Sequence, residues 1–472
     1  MNSSNLHKMN TTGWKSVDLE YGKDTLNIGV PPDCEILKTG YVPVLKEPEE
    51  YLENALSRPI GTLPIDDIIA SRKKSPSKVT VGIAVSDNTR SVPYKGESKE
   101  GILLPLLKRL KKVGVRPENI RIIVATGTHF PTSEKWKKEA FGEFITNKYK
   151  IIDHDCASSD LFLIGSVEGI QVKINRDFVE ADIRIVTGSV EPHFMAGVSG
   201  GRKAICPGLI NLEATYLFHG VEFMDNPNAT NLVLEGNPCH NFALKVARTT
   251  RVDFSINVTI NGEGKLTGVF AGELEKAHLE AVKKLTEFLV VPTDHEYDIV
   301  LTQGGKTAVN HYQAAKAAYA TVPIIRKGGI VILAAHNSDE EPIGKDDYKK
   351  VLEVLKEKGP GRFTEFIKSS SWQFVPDQWQ VQKWDQFFRK VGGFDRLIYC
   401  TTDIGPKDLK KLPGKSGYGF VEGNGVKAEE MVQNAIFYAV SEQKQTQNGS
   451  PQMAFVREGP HAVPAARANK TP

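Results

Sequence analysis

Three short apolar, β-branched runs, each feeding directly into a polar loop, constrain this chain more than anything else in it. Residues 78–85 (KVTVGIAV) read as a buried strand, and Ile120 to Ala125 and Ile183 to Thr187 as two more. The loops that follow are SDNTR (86–90), TGTH (126–129) and the longer VEPHFMAGVSGGRKAICPG (190–208). Between the first two strands, Leu103, Leu106, Leu107 and Leu110 share one face of a predicted helix over 101–112, with Lys108, Lys111 and Lys112 turned away and Gly114 placed to end it. Thr132 and Ser133 are candidate caps for the helix after the second strand. Strand, polar loop, helix, strand is the grammar of a mostly parallel sheet that gathers its reactive groups at the carboxyl ends of its strands. The predicted fold class is α/β.

Further along, residues 161–175 alternate around Glu168-Gly169 and predict a hairpin. Leu274, Ala277, Ala281, Leu285 and Phe288 recur at helical spacing, so 272–290 predicts a helix that Val291-Pro292 ends. A second strand–helix–strand unit follows: strand Asp298–Leu301, loop Thr302–Asn310, helix Tyr312–Tyr319, strand Gly329–Ala334. From Ser441 to Gln452 the chain turns polar and loop-like, and the last twenty residues, with Gly459, Pro460 and Pro464, read as an extended arm. The expected organisation is a larger N-terminal α/β domain (1–273), a smaller C-terminal α/β domain (274–442) with a cleft between the two, and an arm (443–472).

Composition excludes several function classes. A net charge of +3 over 472 residues gives no electrostatic reason to expect nucleic acid. No apolar run approaches the roughly 20 residues of a membrane span, and the first residues, MNSSNLHKMNTTGWKS, lack the apolar core of a signal peptide. The five cysteines are scattered, with no CxxC pair, which suits a reducing compartment. The expectation is a cytoplasmic protein with neither nucleic-acid nor membrane partner.

Four loops carry candidate chemistry. Asp87 and Arg90 offer a carboxylate and a guanidinium after the first strand, able to hold a hydroxyl and an oxyanion; a turn closed by an Asp–Arg pair is the plainer alternative. His129 ends TGTH, where an imidazole can act as general acid or base or simply bond to nearby backbone. His193, the glycine turn at Gly200 and Gly201, Lys203 and His219 form the third group. Their spacing matches no common zinc motif, and the Gly-Gly turn resembles an anion nest without being a P-loop or GxGxxG. Lys203 can pair with a phosphate, attack a carbonyl or sit in solvent. In the fourth, Tyr312, Gln313 and Lys316 start a helix, whose N-terminus suits a carboxylate. Trp379 in PDQWQVQ is either a cleft-closing or a packed aromatic. His154, between Asp153 and Asp155, is read as structural. Cys239 and His240, placed in a loop after Pro238, are weak metal-ligand candidates.

SDNTR, ATGTH, EPHFMAGVSGGRK, His219 and YQAAK, in that order over nearly the whole chain, resemble the lactate racemase family, the nickel-pincer-nucleotide-dependent racemases and epimerases of 2-hydroxy acids. The resemblance implies a pyridinium mononucleotide that grips nickel through carbon and sulfur and is joined to Lys203 as a thioamide. It implies His219 as the protein ligand to nickel, and His129 and His193 as acid–bases on opposite faces of the substrate carbon. Hydride would leave C2 for the cofactor and return to the other face of a flat 2-keto intermediate. Arg90, Tyr312, Gln313 and Lys316 match residues that place the substrate carboxylate and the cofactor. Asp87 matches a residue near the active site, and Trp379 an aromatic of the smaller domain that would contact substrate. Gly200 and Gly201 would border the cofactor, and cofactor-making enzymes would be partners for loading. His311 is expected to add polarity toward a larger or more hydroxylated acid. Two other readings compete: a hydrolase or lyase using His193 and His219 with an ordinary divalent ion, and a non-catalytic carboxylate-binding protein.

Overall fold

The computed structural model describes residues 11–95, 101–423, 425–446 and 449–466. The chain forms two compact units, one from Tyr41–Phe288 and the other from Met1–Gly40 together with Leu289–Pro472.

In the contiguous unit the predicted strands form where their β-branched residues place them, at Val81–Ser86, Ile120–Ala125 and Ile183–Ser189. They belong to a six-stranded sheet in the order 266–272, 254–260, 183–189, 81–86, 120–125, 150–153. The 254–260 and 266–272 strands pair antiparallel; every other neighbouring pair is parallel. The helix Leu103–Lys112 buries Leu103, Leu106, Leu107 and Leu110 against the sheet residues Ile83, Val85, Ile122 and Val124. Ser133 caps the helix Glu134–Phe141 by accepting the Trp136 N–H. The hairpin forms at Phe162–Val167 and Ile170–Ile174, with Glu168 and Gly169 at φ 50° and 81°, the left-handed pair a two-residue turn requires. After Val81–Ser86 the chain adds two strands on one side, then returns to add 183–189 and 254–260 on the other. The topological switch point therefore lies between the strands ending at Ser86 and Ser189, where open α/β sheets present their crevice.

The second unit has its own six-stranded sheet, wholly parallel, in the order 415–416, 397–400, 325–334, 297–303, 453–456, 35–37. Its switch point lies between 297–303 and 453–456. The helix Ala428–Thr446 packs Met431, Val432, Ala435, Ile436 and Ala439 into a core with Ile299, Leu301, Ile330, Ile332 and the hairpin residues Leu19, Tyr21, Ile28 and Val30.

This arrangement corrects the expected boundaries. Residues 1–40 complete the second unit, and most of the helix Leu274–Leu289 belongs to the first. The polar stretch after Ser441 continues the helix to Thr446, and the expected arm contributes strands Met453–Val456 and Val463–Ala466. Phe455 and Val456 are buried in the sheet, so the segment is held by burial and ladder bonds despite its glycine and prolines. Among the described residues, no helix is long and apolar enough to cross a membrane.

Candidate active site

At the switch point of the first sheet, loops from neighbouring strands bring five of the expected residues together. Asp87 follows the first strand and is 4% exposed. Its Oδ1 accepts from the Thr89 N–H and hydroxyl, and its Oδ2 lies 2.5 Å from His129 Nδ1. Burial alone would raise the Asp87 pKa; the bond and charge of His129, with Thr89 and Arg90, outweigh it and hold the carboxyl below its ordinary value. A carboxylate there orients the His129 ring through Nδ1 and turns Nε2 outward, on a side chain half exposed. His129 N–H closes its turn on Thr126 O, and Thr126 Oγ1 is tied to His154 O, so the TGTH loop is anchored below the histidine.

The loop after Ile183–Ser189 carries His193 and Lys203. His193 Nδ1 accepts the backbone N–H groups of Met195 and Ala196 at 3.3 and 3.2 Å. A neutral imidazole that accepts at Nδ1 carries its proton on Nε2, and Nε2 lies 2.8 Å from Lys203 Nζ. The amine must then accept, which only its uncharged form can do. Electrostatics agrees: burial first, then the charges of Arg90 and Arg202, push the Lys203 pKa well below the usual lysine range. Both the contact and the burial favour the uncharged form of the Lys203 amine, the form able to act as a nucleophile.

His219 ends the helix Leu212–Phe218 and is buried. Its Nδ1 donates to Thr215 O at 3.1 Å, so the ring lone pair is on Nε2. Burial, with the Lys203 charge adding to it, lowers its pKa to about 3, leaving an unprotonated nitrogen of the kind metals take. Among the described residues there is no cluster of three or more His, Cys, Asp or Glu that could hold a metal ion.

The glycine turn does other work than the expected anion nest. Gly200 and Gly201 both have positive φ (75° and 51°), yet the Gly201 N–H is taken by Asn257 Oδ1 at 2.8 Å. A Cβ on Gly200 would lie 2.8 Å from Val190 Cγ2, and one on Gly201 3.0 Å from the His278 ring. These glycines permit close packing. His154, with Nε2 on Ile210 O, is buried. Cys239 and His240 open the helix Pro238–Thr250, capped by Asn237, instead of lying in a loop.

Tyr312, Gln313 and Lys316 lie in the second unit on the helix His311–Tyr319, capped by Asn310, whose Oδ1 accepts the Gln313 N–H. Trp379 is 6% exposed and donates from Nε1 to Tyr312 Oη at 2.8 Å, so its indole is committed to a neighbouring side chain. His311 does not line a polar surface. It is 1% exposed, stacked on Trp384 at 4.8 Å, with Nδ1 2.8 Å from Tyr348 Oη.

The sequence reading missed Arg202, Asn257 and His278, which hold the lysine-bearing turn from beneath. A signal for His278 existed: it falls on the apolar face of its helix, between Leu274 and Ala281.

A histidine bonded to a buried carboxylate, with a second histidine in contact with a lysine amine, is an arrangement suited to moving protons. Known proteins agree. Residues 21–231 match the lactate racemase N-terminal domain. The chain is 34% identical over 375 residues to a lactate racemase of Thermoanaerobacterium thermosaccharolyticum, covering 78% of this chain and 84% of that protein. It is 31% identical over 401 residues to the one from Lactiplantibacillus plantarum, covering 83% and 89%. The structure of the lactate racemase apoprotein from T. thermosaccharolyticum superposes with a TM-score of 0.80 at 27% identity, covering 95% of this chain and all of that one. A Thermotoga maritima protein at 16% identity and TM-score 0.63 shares the fold. The chain belongs to the lactate racemase family and is an isomerase.

Proposed function

We propose that this enzyme inverts the C2 stereocentre of a 2-hydroxy acid, with a nickel-pincer nucleotide joined to Lys203. The observation that carries the reading is the 2.8 Å contact between His193 Nε2 and the Lys203 amine, whose pKa burial pushes well below the usual lysine range. A solvated lysine needs no such partner, whereas one that must form an acyl-type bond has to be deprotonated and held. The donor set fits the group: Lys203 would anchor it, and His219, with its lone pair on Nε2, would supply the one protein ligand to nickel, which accepts imidazole readily. When bound, the group supplies a reversible acceptor for the C2 hydride.

The chain's own residues do the rest. His129 Nε2 takes the hydroxyl proton as C2 becomes flat, and the buried Asp87 carboxylate stabilises the imidazolium that forms. His193 serves the opposite face, because inversion needs an acid–base on each side of the carbon. Arg90, in the same loop as Asp87, would bind the carboxylate of the acid, and Tyr312, Gln313 and Lys316 are the substrate residues proposed for the other unit. Trp379 would act through Tyr312. Cofactor-making enzymes would be partners during loading.

A hydrolase using His193 and His219 with a simple divalent ion is disfavoured by the missing third ligand among the described residues. A non-catalytic binder has no use for the Asp87–His129 pair. Intact-protein mass and nickel content after coexpression with cofactor-making enzymes test the reading. A mass addition mapped to Lys203 with one nickel per chain is expected; a loaded host yielding neither refutes it.

A further inference from the structure

The Arg202 guanidinium is 1% exposed, and among the described residues no carboxylate pairs with it. A buried cation without a counter-ion is costly, and its compensation has to come from dipoles. Those dipoles are local. Nη2 donates to Ala196 O at 2.8 Å, and Nη1 lies 3.4 and 3.3 Å from Ser199 O and Gly200 O. All three carbonyls belong to the loop that leads into Lys203, so the guanidinium folds that loop onto itself.

The tie to the rest of the unit is His278, on the helix Leu274–Leu289. Its Nε2 lies 2.9 Å from Arg202 Nη1 and 2.8 Å from Ser199 O. Burial and the Arg202 charge keep His278 neutral. Neutral His278 can accept from Arg202 or donate to Ser199, and both bonds pin the same turn. The ring also packs against Gly201, where a Cβ would stand 3.0 Å away.

We propose that Arg202 and His278 form a buried clamp that positions the Lys203 amine against His193, making Arg202 a positioning residue for whatever acyl-type bond Lys203 forms. The inference deepens the proposed function and rests on it only for the identity of the group attached. The clamp explains why the chain keeps an unpaired guanidinium beside a reactive lysine: three carbonyls on one short loop are matched by a single planar fork, which a lysine ammonium reproduces only in part.

The test is acetylation of the unloaded protein by dilute acetic anhydride across pH 6–9, read by peptide mass spectrometry as Lys203 labelling relative to surface Lys135. Charged and titratable groups facing Lys203 are Arg90, Arg202, His193, His219, Cys206 and Cys239. R202M should lower the Lys203 rate at least tenfold relative to Lys135, R202K should recover part of it, and H278L should lower it three- to tenfold. Adduct yield after coexpression should follow the same order. R202M labelling Lys203 at the parental rate overturns the clamp. If R202M does not fold, H278L at parental rate with a parental pH profile overturns it instead. If labelling follows the expected order but the parent never gains an adduct, the proposed function fails and the clamp stands.

Discussion

The two units are built on similar sheets, mostly parallel in the first and wholly parallel in the second, each with a topological switch point, and they use it in opposite ways. In the first, the loops after Ser86 and Ser189 diverge and carry Asp87, Arg90, His193 and Lys203. In the second, the same place is closed. Gly459 packs so tightly that a Cβ would lie 2.2 Å from Gln303 O, Tyr21 bridges Gly305, and Glu20 N–H donates to Gln303 Oε1. The chemistry-bearing residues of that unit instead sit on the helix His311–Tyr319. A sheet topology offers a crevice; the residues at the strand ends decide whether it becomes a site.

Substitutions should separate the two regions sharply. The largest effect belongs to K203A, which should abolish the mass addition and all racemisation while leaving the thermal midpoint within a few degrees. Midpoint and intact mass, measured on the same sample, check this. Next, H129A should cut turnover by about 10²–10⁴-fold with the adduct retained, and H193A should cut it as far while also lowering adduct yield, because it removes the partner that holds the Lys203 amine; a full adduct yield in H193A would show that the contact is not needed for loading. D87N should cost about 10²-fold by removing the charge that stabilises protonated His129.

Acid separates the units by a different route. Burial first of all lowers the pKa of His219 to about 3, His240 to about 4 and His278 well below its ordinary value in the first unit, and His311 to about 3 in the second. Their folded pKa values lie below the unfolded value near 6.5, so the unfolded chain binds more protons as pH falls from there. Each group then removes about 1.4 kcal/mol of stability per pH unit until its folded pKa is reached. Hydrogen exchange at pH 7 and pH 5 should show amide protection in strand 183–189 falling more than in strand 297–303. Equal losses would break the contrast.

Smaller still, G459A should destabilise the second unit by about 1–3 kcal/mol through overpacking without touching the adduct. S133A should cost about 1 kcal/mol, the usual worth of a helix cap, measured by urea melts.

Legibility in the sequence divides along the same line. The first unit is contiguous, and three of its sheet strands, its amphipathic helix and its hairpin follow from local periodicity and turn chemistry, while the sheet strands Lys150–Asp153, Phe254–Ile260 and Leu266–Gly272 were not read. The second is assembled from distant pieces. Nothing near Glu35–Leu37 says that it will lie beside Met453–Val456, and the glycine and prolines of the last residues outvote the short apolar run MAFV until a sheet edge is available to it. Asp87, His129, His193 and Lys203 were legible as strand-end polar residues. Their pairing was not, because a 2.5 Å bond between residues 42 apart depends on strand order. His311 was misread because a histidine opening a capped helix looks exposed; stacking on Trp384 is a tertiary fact.

The most direct measurement follows the C2 hydrogen. Loaded enzyme is given one enantiomer of a 2-hydroxy acid deuterated at C2, in ordinary water, and the inverted product is analysed for isotope. Hydride held by the protein-bound group and returned to the other face predicts that the product keeps its deuterium. Extensive exchange with solvent during inversion would mean that the two histidines remove the C2 hydrogen as a proton, and would contradict the account.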